Sequence, residues 1–338
     1  MPTREELKAA IAAEIADYRA GEIASPTSDH VERWIAQFPR DVQDPLLAET
    51  LHVLKHLYVT RANVTDFLDS LATDAKIAGE DPAAFWKHAA VLRIQKRGSS
   101  QKEMVALFDG VLRNRFGFGV ASAPSTTGVY VYLDDAVYSG GHLRTDVLGW
   151  IATGAPKKFT LHVIVMAVHA YGDYYATKGI REAATKAGKD ATVSVWRCLT
   201  LEDRKAYTAN SDVLRPSRVP DDARAQVYAN ELTQAGYPPV LRTGDGVGSK
   251  KVFSSPAGRE LLEQEFLKAG VRVRERCPYL HETMRPLGFS GLKTLGFGSL
   301  LITHRNCSNN CPLALWAGDP WYPLLPRRTN TTSSTTWP

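Results

Sequence analysis

The hydrophobic positions of the chain follow two different patterns. Over residues 1 to about 88, apolar residues recur three and four positions apart, as in EELKAAIAAEIADYRAGE and DPLLAETLHVLKHLYVT. This spacing is typical of amphipathic helices. We therefore expect an N-terminal all-helical region, with Trp34, Phe38 and Leu54 in its core.

From about residue 89 the pattern changes to short apolar runs that alternate with longer helical stretches. Strands that alternate with helices of this length predict an α/β fold, in which an open, mostly parallel sheet is covered by helices. A segment rich in Pro, Gly and charge, residues 201–255, is expected to be irregular. The predicted strands are AAVLRIQ (89–95), GVYVYL (128–133), FTLHVIVMAVHA (159–170), TVSVWRCLT (192–200) and SLLITHRN (299–306).

These patterns predict three segments: a helical accessory region (1–88), an α/β domain (89–328) and a tail (329–338). The tail, TNTTSSTTWP, is of low complexity and is expected to be disordered. The helical region shows no site pattern, so we expect it to have a docking or regulatory role. On this view a chain that begins near Asp81 should stay folded.

The stretch VYVYLDDAVYSGGHL (129–143) carries the main candidate chemistry. Asp134 and Asp135 follow an apolar strand, and ligands of parallel α/β sheets bind beyond the carboxyl ends of the strands. A carboxylate accepts hydrogen bonds from two neighbouring hydroxyls, such as those of a ribose. The Ser-Gly-Gly that follows leads into a helix, and backbone amides of a glycine-rich turn at a helix N-terminus bind phosphate.

This arrangement predicts a site for a ribose 5-phosphate, with two exposed loop carboxylates on the diol. Gly140 would be the point where the backbone comes closest to the anion. The residues alone leave an alternative open. In it, Asp134 and Asp135 form a turn and a helix cap, while Gly140 and Gly141 only shape the bend.

LDDAVYSGGHL resembles, without a gap, the phosphoribosyl-pyrophosphate loop of type I phosphoribosyltransferases. The resemblance implies that Asp134 and Asp135 are the catalytic-site acids that bind the ribose. KRGSSQ (96–101), at a strand end before a helix, stands where that family has its pyrophosphate loop. The other implied ligand contacts are Ser139, Gly140, Gly141 and His142 around the phosphate, and Ser99, Ser100 and Gln101 in the pyrophosphate loop.

Over roughly residues 80–328, the chain resembles the phosphoribosyltransferase-like effectors of bacterial anti-phage conflict systems, called PRTase-CE. It shares their GSSQ-type turn, their DDAVYSG loop and a late segment like RNCSNNCPLALW followed by WYPLLPRR. Two positions depart from the phosphoribosyltransferase pattern. His142 replaces the usual hydroxyl residue, and Tyr138 stands where purine-salvage enzymes often carry an acid that acts as a base toward the purine.

The resemblance leaves two kinds of function open. One is an enzyme that transfers a phosphoribosyl group, or cleaves a nucleotide or phosphoribosyl pyrophosphate, by displacement at the anomeric carbon. The other is a non-catalytic nucleotide sensor, or a protein-interaction module that keeps the fold. The resemblance also implies Mg²⁺ bound through the ligand's pyrophosphate, with no metal site of the protein's own, and a partner protein from a defence operon.

Composition and charge narrow the ligand class and the location. The net charge of +5, from 41 basic and 36 acidic residues, suits a small anionic ligand and argues against nucleic acid as a direct ligand. The longest apolar run, LHVIVMAVHAYG (161–172), is too short for a membrane span and contains two histidines. The N-terminus has no signal-peptide core. We expect a cytoplasmic protein without a membrane partner.

Three further groups each have two interpretations. Cys307 and Cys311 have a short spacing that thiolate metal ligands can use, but no second pair lies nearby, which favours ordinary loop cysteines. His169 ends a predicted strand and is either a catalytic residue or a partly exposed polar residue. The asparagines of RNCSNN (305–310) are expected at the same sheet edge, where they either recognise a base or form a turn.

Overall fold

The structure, a computed structural model, describes residues 2–96, 98–120, 125–277, 280–289 and 293–328. The predicted disordered tail at 329–338 lies outside the described residues. The chain forms two compact units: a central unit (residues 61–200) and a split unit (residues 1–60 together with 201–338). The predicted boundary after residue 88 falls inside the central unit. Compact units and predicted domains thus divide the chain differently, and the domain boundaries stay a prediction.

The helices and strands of the described residues are numbered in chain order. The α-helices are α1 (Arg4–Glu14), α2 (Ser28–Ile35), α3 (Gln43–Leu57), α4 (Arg61–Ala72), α5 (Ala75–Ala78), α6 (Pro82–His88), α7 (Ser100–Phe116), α8 (Gly141–Thr153), α9 (Ala170–Lys186), α10 (Ala223–Gln234), α11 (Pro256–Arg276) and α12 (Leu313–Trp316). The strands are β1 (Tyr58–Val59), β2 (Ala90–Val91), β3 (Val129–Leu133), β4 (Ala136–Val137), β5 (Lys158–Ile164), β6 (Ala167–His169), β7 (Asp190–Trp196), β8 (Leu199–Leu201), β9 (Met284–Arg285), β10 (Gly288–Phe289), β11 (Ile302–Thr303) and β12 (Asn306–Cys307). Short 3-10 helices lie at Arg40–Val42 and Thr208–Asn210.

The central unit is built on a parallel sheet, as the sequence predicts. Its strand order is β2-β3-β5-β7, and every neighbouring pair is parallel. Helices α7, α8 and α9 each connect one strand of this sheet to the next, as parallel neighbours require. The predicted α/β class, with an N-terminal helical region, is confirmed.

The core of the central unit joins one face of this sheet to helices α8 and α9. Side chains alternate across a strand, so every second residue of β3 and β5 points into this core. The tyrosines of β3 contribute large rings, and Tyr130 packs against Trp150 with centroids 4.9 Å apart. The core includes Tyr130, Tyr132, Leu143, Val147, Trp150, Phe159, Leu161, Val163, Ala176 and Ile180.

Two predicted strands are interrupted near the C-terminal edge of the sheet. FTLHVIVMAVHA forms β5 and β6, and TVSVWRCLT forms β7 and β8; the edge strands make a second strip in the order β4-β6-β8. Backbone pairing continues through the break. Asp134 N–H donates to the carbonyl of Ile164 at 3.1 Å, and Met166 N–H donates to the carbonyl of Asp135 at 3.0 Å. The backbone of the Asp-Asp loop is therefore fixed to the neighbouring strand.

In the split unit, helix α11 packs against α3, α10 and α12. Trp34, Phe38 and Leu54 are buried, as predicted. Within the segment expected to be irregular, α10 is a regular helix, and Asp222 caps it by accepting from the N–H of Ala225 at 3.0 Å. The sequence pattern did not predict this helix.

The last predicted strand, SLLITHRN, does not join the main sheet. It forms the antiparallel pair β11 and β12, and β11 pairs in parallel with β1. These strands make a separate small sheet in the split unit. The prediction that the asparagines of 305–310 lie at the same sheet edge as the Asp-Asp loop is wrong, because they belong to a different sheet.

Candidate functional site

Asp134 and Asp135 stand at the C-terminal end of β3, but their surroundings differ. Asp134 is only 7% exposed. Its Oδ1 accepts from the backbone N–H of Asp135 at 2.9 Å, and its Oδ2 accepts from the hydroxyl of Tyr132 at 3.3 Å. Asp135 is half-buried, and its Oδ1 accepts from the N–H of Ala136 at 2.8 Å. The expectation of two exposed loop carboxylates is wrong for Asp134, and Asp135 is the more accessible of the pair.

The turn at residues 139–142 leads into α8 through a left-handed glycine. Gly140 occupies the N-cap position with φ of +75°, a conformation that favours glycine. A Cβ added there would overlap the carbonyl oxygen of Gly172, and a Cβ on Gly172 would overlap the carbonyl of Tyr138. The close packing of these two helix starts therefore requires both glycines, whatever the ligand.

The first turn of α8 has no side-chain cap, and neither do the first turns of α7 and α9. All three helices follow a strand of the parallel sheet or its edge strip. Helices α3 and α12 also lack a side-chain cap, whereas α1, α2, α5, α6, α10 and α11 are capped by the side chains of Thr3, Thr27, Asp74, Asp81, Asp222 and Ser255. The first N–H groups of a helix lack intrahelical partners and carry partial positive charge. An anion at the start of α8 would have no capping side chain to displace.

Ser139 and His142 flank this helix start in different ways. Ser139 is half-buried, and its hydroxyl lies 3.6 Å from the position that a Cβ on Gly141 would take. His142 is exposed and stands one helical turn before Asp146. Ser139 thus lies over the helix start, whereas His142 presents its ring at the surface.

The predicted pyrophosphate loop is closed on itself by two glutamines. Gln101 is 2% exposed, and its Oε1 accepts from two backbone N–H groups of the loop, at 2.7 and 3.0 Å. Gln95 Oε1 accepts from the N–H of Gln101 at 3.0 Å, and Gln95 Nε2 donates to Ser100 Oγ at 2.7 Å. The hydroxyl of Ser99 donates to Glu103 at 2.7 Å. Gln101 therefore shapes the loop, while ligand contacts by the half-buried Ser99 and Ser100 stay a prediction.

His169 packs against the segment that joins the two aspartates to the turn at residues 139–142. Its side chain is fully buried, and its Nδ1 lies 3.1 Å from the carbonyl oxygen of Val137. The ring stacks on Tyr138, with centroids 5.2 Å apart and planes 26° apart. The interpretation of His169 as a partly exposed polar residue is wrong, since the imidazole is packed under its neighbours.

Two buried residues that the sequence did not single out contact the two loops: Tyr132, which is fully buried, and Asp146, which is 5% exposed. Asp146 Oδ1 accepts from the backbone N–H of Lys96 at 3.4 Å, and the Tyr132 hydroxyl donates to Asp134 Oδ2 at 3.3 Å. Burial raises the pKa of Asp146, while the Lys96 hydrogen bond and the charge of His142 oppose the rise. An acid on the apolar face of α8 was the available signal, because residue 146 shares that face with Leu143, Val147 and Trp150.

Cys307 and Cys311 are buried free thiols in the split unit. Burial raises the pKa of the Cys307 thiol, and the neighbouring Cys311 adds to the rise. Such thiols are poor nucleophiles. Among the described residues, no group of three or more His, Cys, Asp or Glu side chains could hold a metal ion. The two thiols therefore pack inside the split unit, and the choice between ordinary loop cysteines and metal ligands stays a prediction.

The central unit has the open, parallel sheet covered by helices that defines an α/β fold, with acids at one strand end and a glycine turn into an uncapped helix. The chain belongs to the PRTase-CE family, whose model matches residues 31–327. The match begins within α2 and so includes most of the N-terminal helices, beyond the resemblance over residues 80–328. No curated protein and no solved structure matches the chain. None of the described helices is both long and apolar enough to cross a bilayer.

Proposed function

We propose that this protein is a phosphoribosyltransferase-like effector that binds a phosphoribosyl or nucleotide ligand at its Asp-Asp loop, in the cytoplasm, within a bacterial anti-phage defence system. One observation carries the ligand proposal: an accessible carboxylate, Asp135, shares a short loop with the uncapped start of α8. This loop offers acceptors for a ribose diol and amide donors for a phosphate. Family membership supports the phosphoribosyltransferase-like character. The defence role rests on the resemblance to conflict-system effectors.

Each candidate residue has a role in this proposal. Asp135 accepts from the ribose hydroxyls, and Asp134, held by Tyr132, fixes the loop in place. The hydroxyl of Ser139 and the first amides of α8 donate to the 5-phosphate, with His142 at the rim. Ser99 and Ser100 stand at the start of α7, where they would meet a pyrophosphate.

Mg²⁺ fits this proposal as a companion of the ligand. The ligand's pyrophosphate would supply most of the coordination, since Mg²⁺ in nucleotide sites is bound mainly by substrate phosphates and water. When bound, Mg²⁺ would neutralise charge on the departing pyrophosphate.

The reaction that suits such a site is displacement at the anomeric carbon. The bond from C1 to the pyrophosphate oxygen breaks, and its electron pair leaves with the pyrophosphate. An acceptor donates a new electron pair to C1. Positive charge grows on the ribose in between, close to Asp135, whose negative charge stabilises it. The acceptor is water in a cleaving enzyme and a second substrate in a transferase.

A non-catalytic nucleotide sensor is the second candidate, and Tyr138 favours it. Purine-salvage enzymes of this fold often carry an acid at that position, whereas here the ring stacks on the buried His169. The site would then bind without a base to assist departure or attack.

Calorimetric titration with phosphoribosyl pyrophosphate and Mg²⁺, followed by ³¹P NMR of the mixture, tests the proposal. Binding with release of pyrophosphate supports an enzyme, and binding without turnover supports a sensor. In both cases Asp135→Ala should weaken binding about tenfold or more, because a hydrogen bond to a charged group contributes about 1.5–3 kcal/mol. Absence of binding to phosphoribosyl pyrophosphate, ribose 5-phosphate and nucleoside monophosphates would exclude the ligand class.

A further inference from the structure

We propose that Tyr171 and Tyr175 on α9, here called the tyrosine row, form a stacking surface for a nucleobase, so that the ligand at the turn of residues 139–142 is a nucleotide and not a bare sugar phosphate. The proposal rests on the proposed function and deepens it, because it gives the same ligand a second point of recognition. Nucleobases are flat aromatic rings that stack on exposed tyrosines and on the plane of an arginine.

The tyrosine row begins beside the turn at residues 139–142. Helices α8 and α9 pack against each other, and both begin at the carboxyl-terminal ends of parallel strands, so they run in the same direction. At their starts, a Cβ on Gly140 would overlap the carbonyl oxygen of Gly172, which directly follows Tyr171. One helical turn further along, Tyr175 contacts Arg144 of α8. The row therefore borders α8 and starts level with the turn that is proposed to bind the phosphate.

The two rings of the row are parallel and partly open to water. The ring planes of Tyr171 and Tyr175 are 10° apart, and their centroids are 6.2 Å apart. Tyr175 is 39% exposed, and Tyr171 is half-buried. Each ring holds the other in a defined orientation, so a base that stacks on them has little side-chain freedom to remove.

Arg144 adds a flat cation to the row. Its guanidinium lies 5.0 Å from the centre of the Tyr175 ring, and Nη1 donates to the Tyr175 hydroxyl at 3.3 Å. Its Nε is buried and has no hydrogen-bond partner among the described residues. A Cβ on Gly179 would overlap this Nε. A glycine inside a helix is unfavourable for the helix itself, and here it makes room for the guanidinium against α9.

The chemistry of this surface matches that of a nucleotide. Tyrosine rings and a guanidinium plane offer stacking to the base, and the positive charge of Arg144 attracts the phosphate. A ribose 5-phosphate without a base would use the turn alone. The tyrosine row therefore favours a ligand that is both aromatic and anionic.

Tyr174 provides an internal comparison. It is 58% exposed, more than Tyr175, which follows it in the chain. Successive residues of a helix are rotated by about 100°, so Tyr174 lies on another side of α9, where its hydroxyl accepts from Lys178 Nζ at 3.3 Å. Tyr174 thus has the same side chain and greater exposure than the row, without its place beside α8.

A simpler role for the contact between Arg144 and Tyr175 is to tie α8 to α9. A tie alone would change stability, or the affinity for every ligand alike. The informative quantity is therefore the ratio between the affinities of two ligands that share a ribose 5-phosphate and differ by a base.

The test is calorimetry on the full chain with three probes that share this group. They are ribose 5-phosphate, AMP, which carries adenine on the same sugar, and ADP-ribose, which carries adenosine beyond the phosphate. We expect AMP or ADP-ribose to bind about tenfold or more tightly than ribose 5-phosphate, which is the gain from one stacked base. The probe that gains shows on which side of the phosphate the base lies.

Four variants locate this gain. Tyr171→Ala combined with Tyr175→Ala should bring the ratio to about one, whereas the corresponding double substitution to Phe keeps the rings and should retain most of the gain. Gly179→Ala displaces the guanidinium of Arg144 and should reduce the gain. Tyr174→Ala is the matched control and should keep the wild-type ratio.

The possible failures can be told apart. Equal affinities of the folded wild type for all three probes would overturn the inference and leave the proposed function intact. So would a full gain in the double alanine variant, or a loss in Tyr174→Ala as large as in that variant. If none of the three probes bound to the folded wild type, the proposed function would fall and the inference with it.

Discussion

At the scale of single residues, the two adjacent aspartates differ in burial and in hydrogen-bond partners. Asp134 is buried and accepts from the hydroxyl of Tyr132 and the amide of Asp135, whereas Asp135 is half-buried and accepts from the amide of Ala136. Position along a strand decides this, because consecutive residues point to opposite sides. A sequence shows the pair but not which member faces the ligand.

We therefore predict that Asp134→Ala and Asp135→Ala separate stability from binding. Asp134→Ala leaves a buried hydroxyl and an amide short of an acceptor and should lower the free energy of unfolding by about 1–3 kcal/mol. Asp135→Ala should change the free energy of unfolding by less than about 1 kcal/mol and lose affinity for ribose 5-phosphate. Urea unfolding and calorimetry on both variants check this. Equal losses of stability would contradict the assignment.

Gly140 and Gly141, the two glycines of the turn at residues 139–142, should also respond differently to substitution. Gly140→Ala should destabilise the chain by several kcal/mol, because the new Cβ overlaps the carbonyl of Gly172 at a left-handed φ. A Gly140→Val variant that fails to bind would therefore report on folding and not on the phosphate. Gly141→Ala meets no atom nearer than Ser139 Oγ at 3.6 Å. Gly141→Ala should keep or slightly raise the thermal midpoint. A loss of phosphoribosyl affinity in this stable variant would therefore show that the phosphate binds at the turn of residues 139–142.

Protonation of buried histidines sets an acid limit to stability. Burial lowers the pKa of His162, whose Nδ1 accepts from the indole N–H of Trp196 at 2.9 Å, and burial also lowers the pKa of His30. The unfolded chain then binds more protons than the folded one below about pH 6.5, the ordinary histidine value. Stability should be complete above that pH and decline as the pH falls through it.

The measurement is the free energy of urea unfolding between pH 7.5 and 5. His162→Asn keeps an acceptor near the Nδ1 position and cannot titrate, so its decline should be shallower than that of the wild type. His56→Asn, at an exposed position, serves as the control and should follow the wild-type slope. A parallel decline in wild type and His162→Asn would show that His162 does not carry the effect.

At the scale of elements, periodicity predicted most of the central unit. The helices after β2 and β3, the strand before the Asp-Asp loop and the parallel order all follow from short apolar runs between helical stretches. The breaks at Val165 and Arg197 could not be seen, because a buried apolar run reads as one strand whether or not its pairing shifts. Helix α10 was hidden by the Pro, Gly and charge around it. The pairing of β11 with β1 is a contact between distant segments that no local pattern encodes.

Of the candidate site, as of the fold, the sequence predicted the local elements but not the contacts between distant segments. The two candidate loops could be recognised as acids, serine and glycine at strand ends, and their ligand contacts stay a prediction. Asp146 had a signal of its own, an acid on the apolar face of α8, but its contact with the Lys96 amide depends on which residues the fold brings together, as does the contact of Tyr132 with Asp134. The reason for Gly140 was also hidden, since Gly172 lies on another helix.

Helix α11 organises the irregular segment around it through buried charge. Glu263 is fully buried and accepts from Arg259 Nε at 2.8 Å, Arg242 Nε at 2.9 Å and the N–H of Arg215 at 3.0 Å. The guanidinium groups of Arg259 and Arg215 also donate to backbone carbonyls of the segment, including those of Gly246 and Leu214. The Glu263 carboxylate thus pairs with two buried guanidinium groups, those of Arg242 and Arg259.

We predict that Glu263→Gln lowers the free energy of unfolding by about 3–5 kcal/mol, because breaking a buried ion pair leaves an uncompensated charge. The same substitution at Glu231, which is exposed on α10, should change it by less than about 0.5 kcal/mol. Urea titrations of both variants make the comparison. If the two substitutions were equivalent, the buried charges would not be what holds the segment.

At the scale of the whole molecule, the chain builds its two compact units from unequal pieces. The central unit is one continuous stretch, residues 61–200, whereas the split unit joins residues 1–60 to residues 201–338. In this division the N-terminal helices fall into both units. Helices α1 to α3 contribute to the core of the split unit, and α4 to α6 belong to the central unit.

This division reverses the expectation for a chain that begins at Asp81. Such a chain lacks Trp34 and Leu54, which are buried in the split unit, and Leu68, which is buried in the central unit. It also lacks the carbonyl of Ala72 that accepts from the indole N–H of Trp86 at 2.8 Å. Both units would lose core surface, so we predict an insoluble or unfolded product.

The continuous stretch 61–200 should behave in the opposite way. It contains the parallel sheet, helices α4 to α9 and both candidate loops, and a stretch of this length is large enough for an independent core. Expressed alone, it should unfold in one cooperative thermal transition and bind ribose 5-phosphate within about tenfold of the full chain, a difference of about 1.4 kcal/mol. Circular dichroism melts and calorimetry on the two truncated chains make the comparison. The opposite result would be a soluble, cooperatively folded 81–338 chain and an unfolded 61–200 chain. It would show that the fold does not need the N-terminal helices, and that the candidate loops depend on the C-terminal half for their shape.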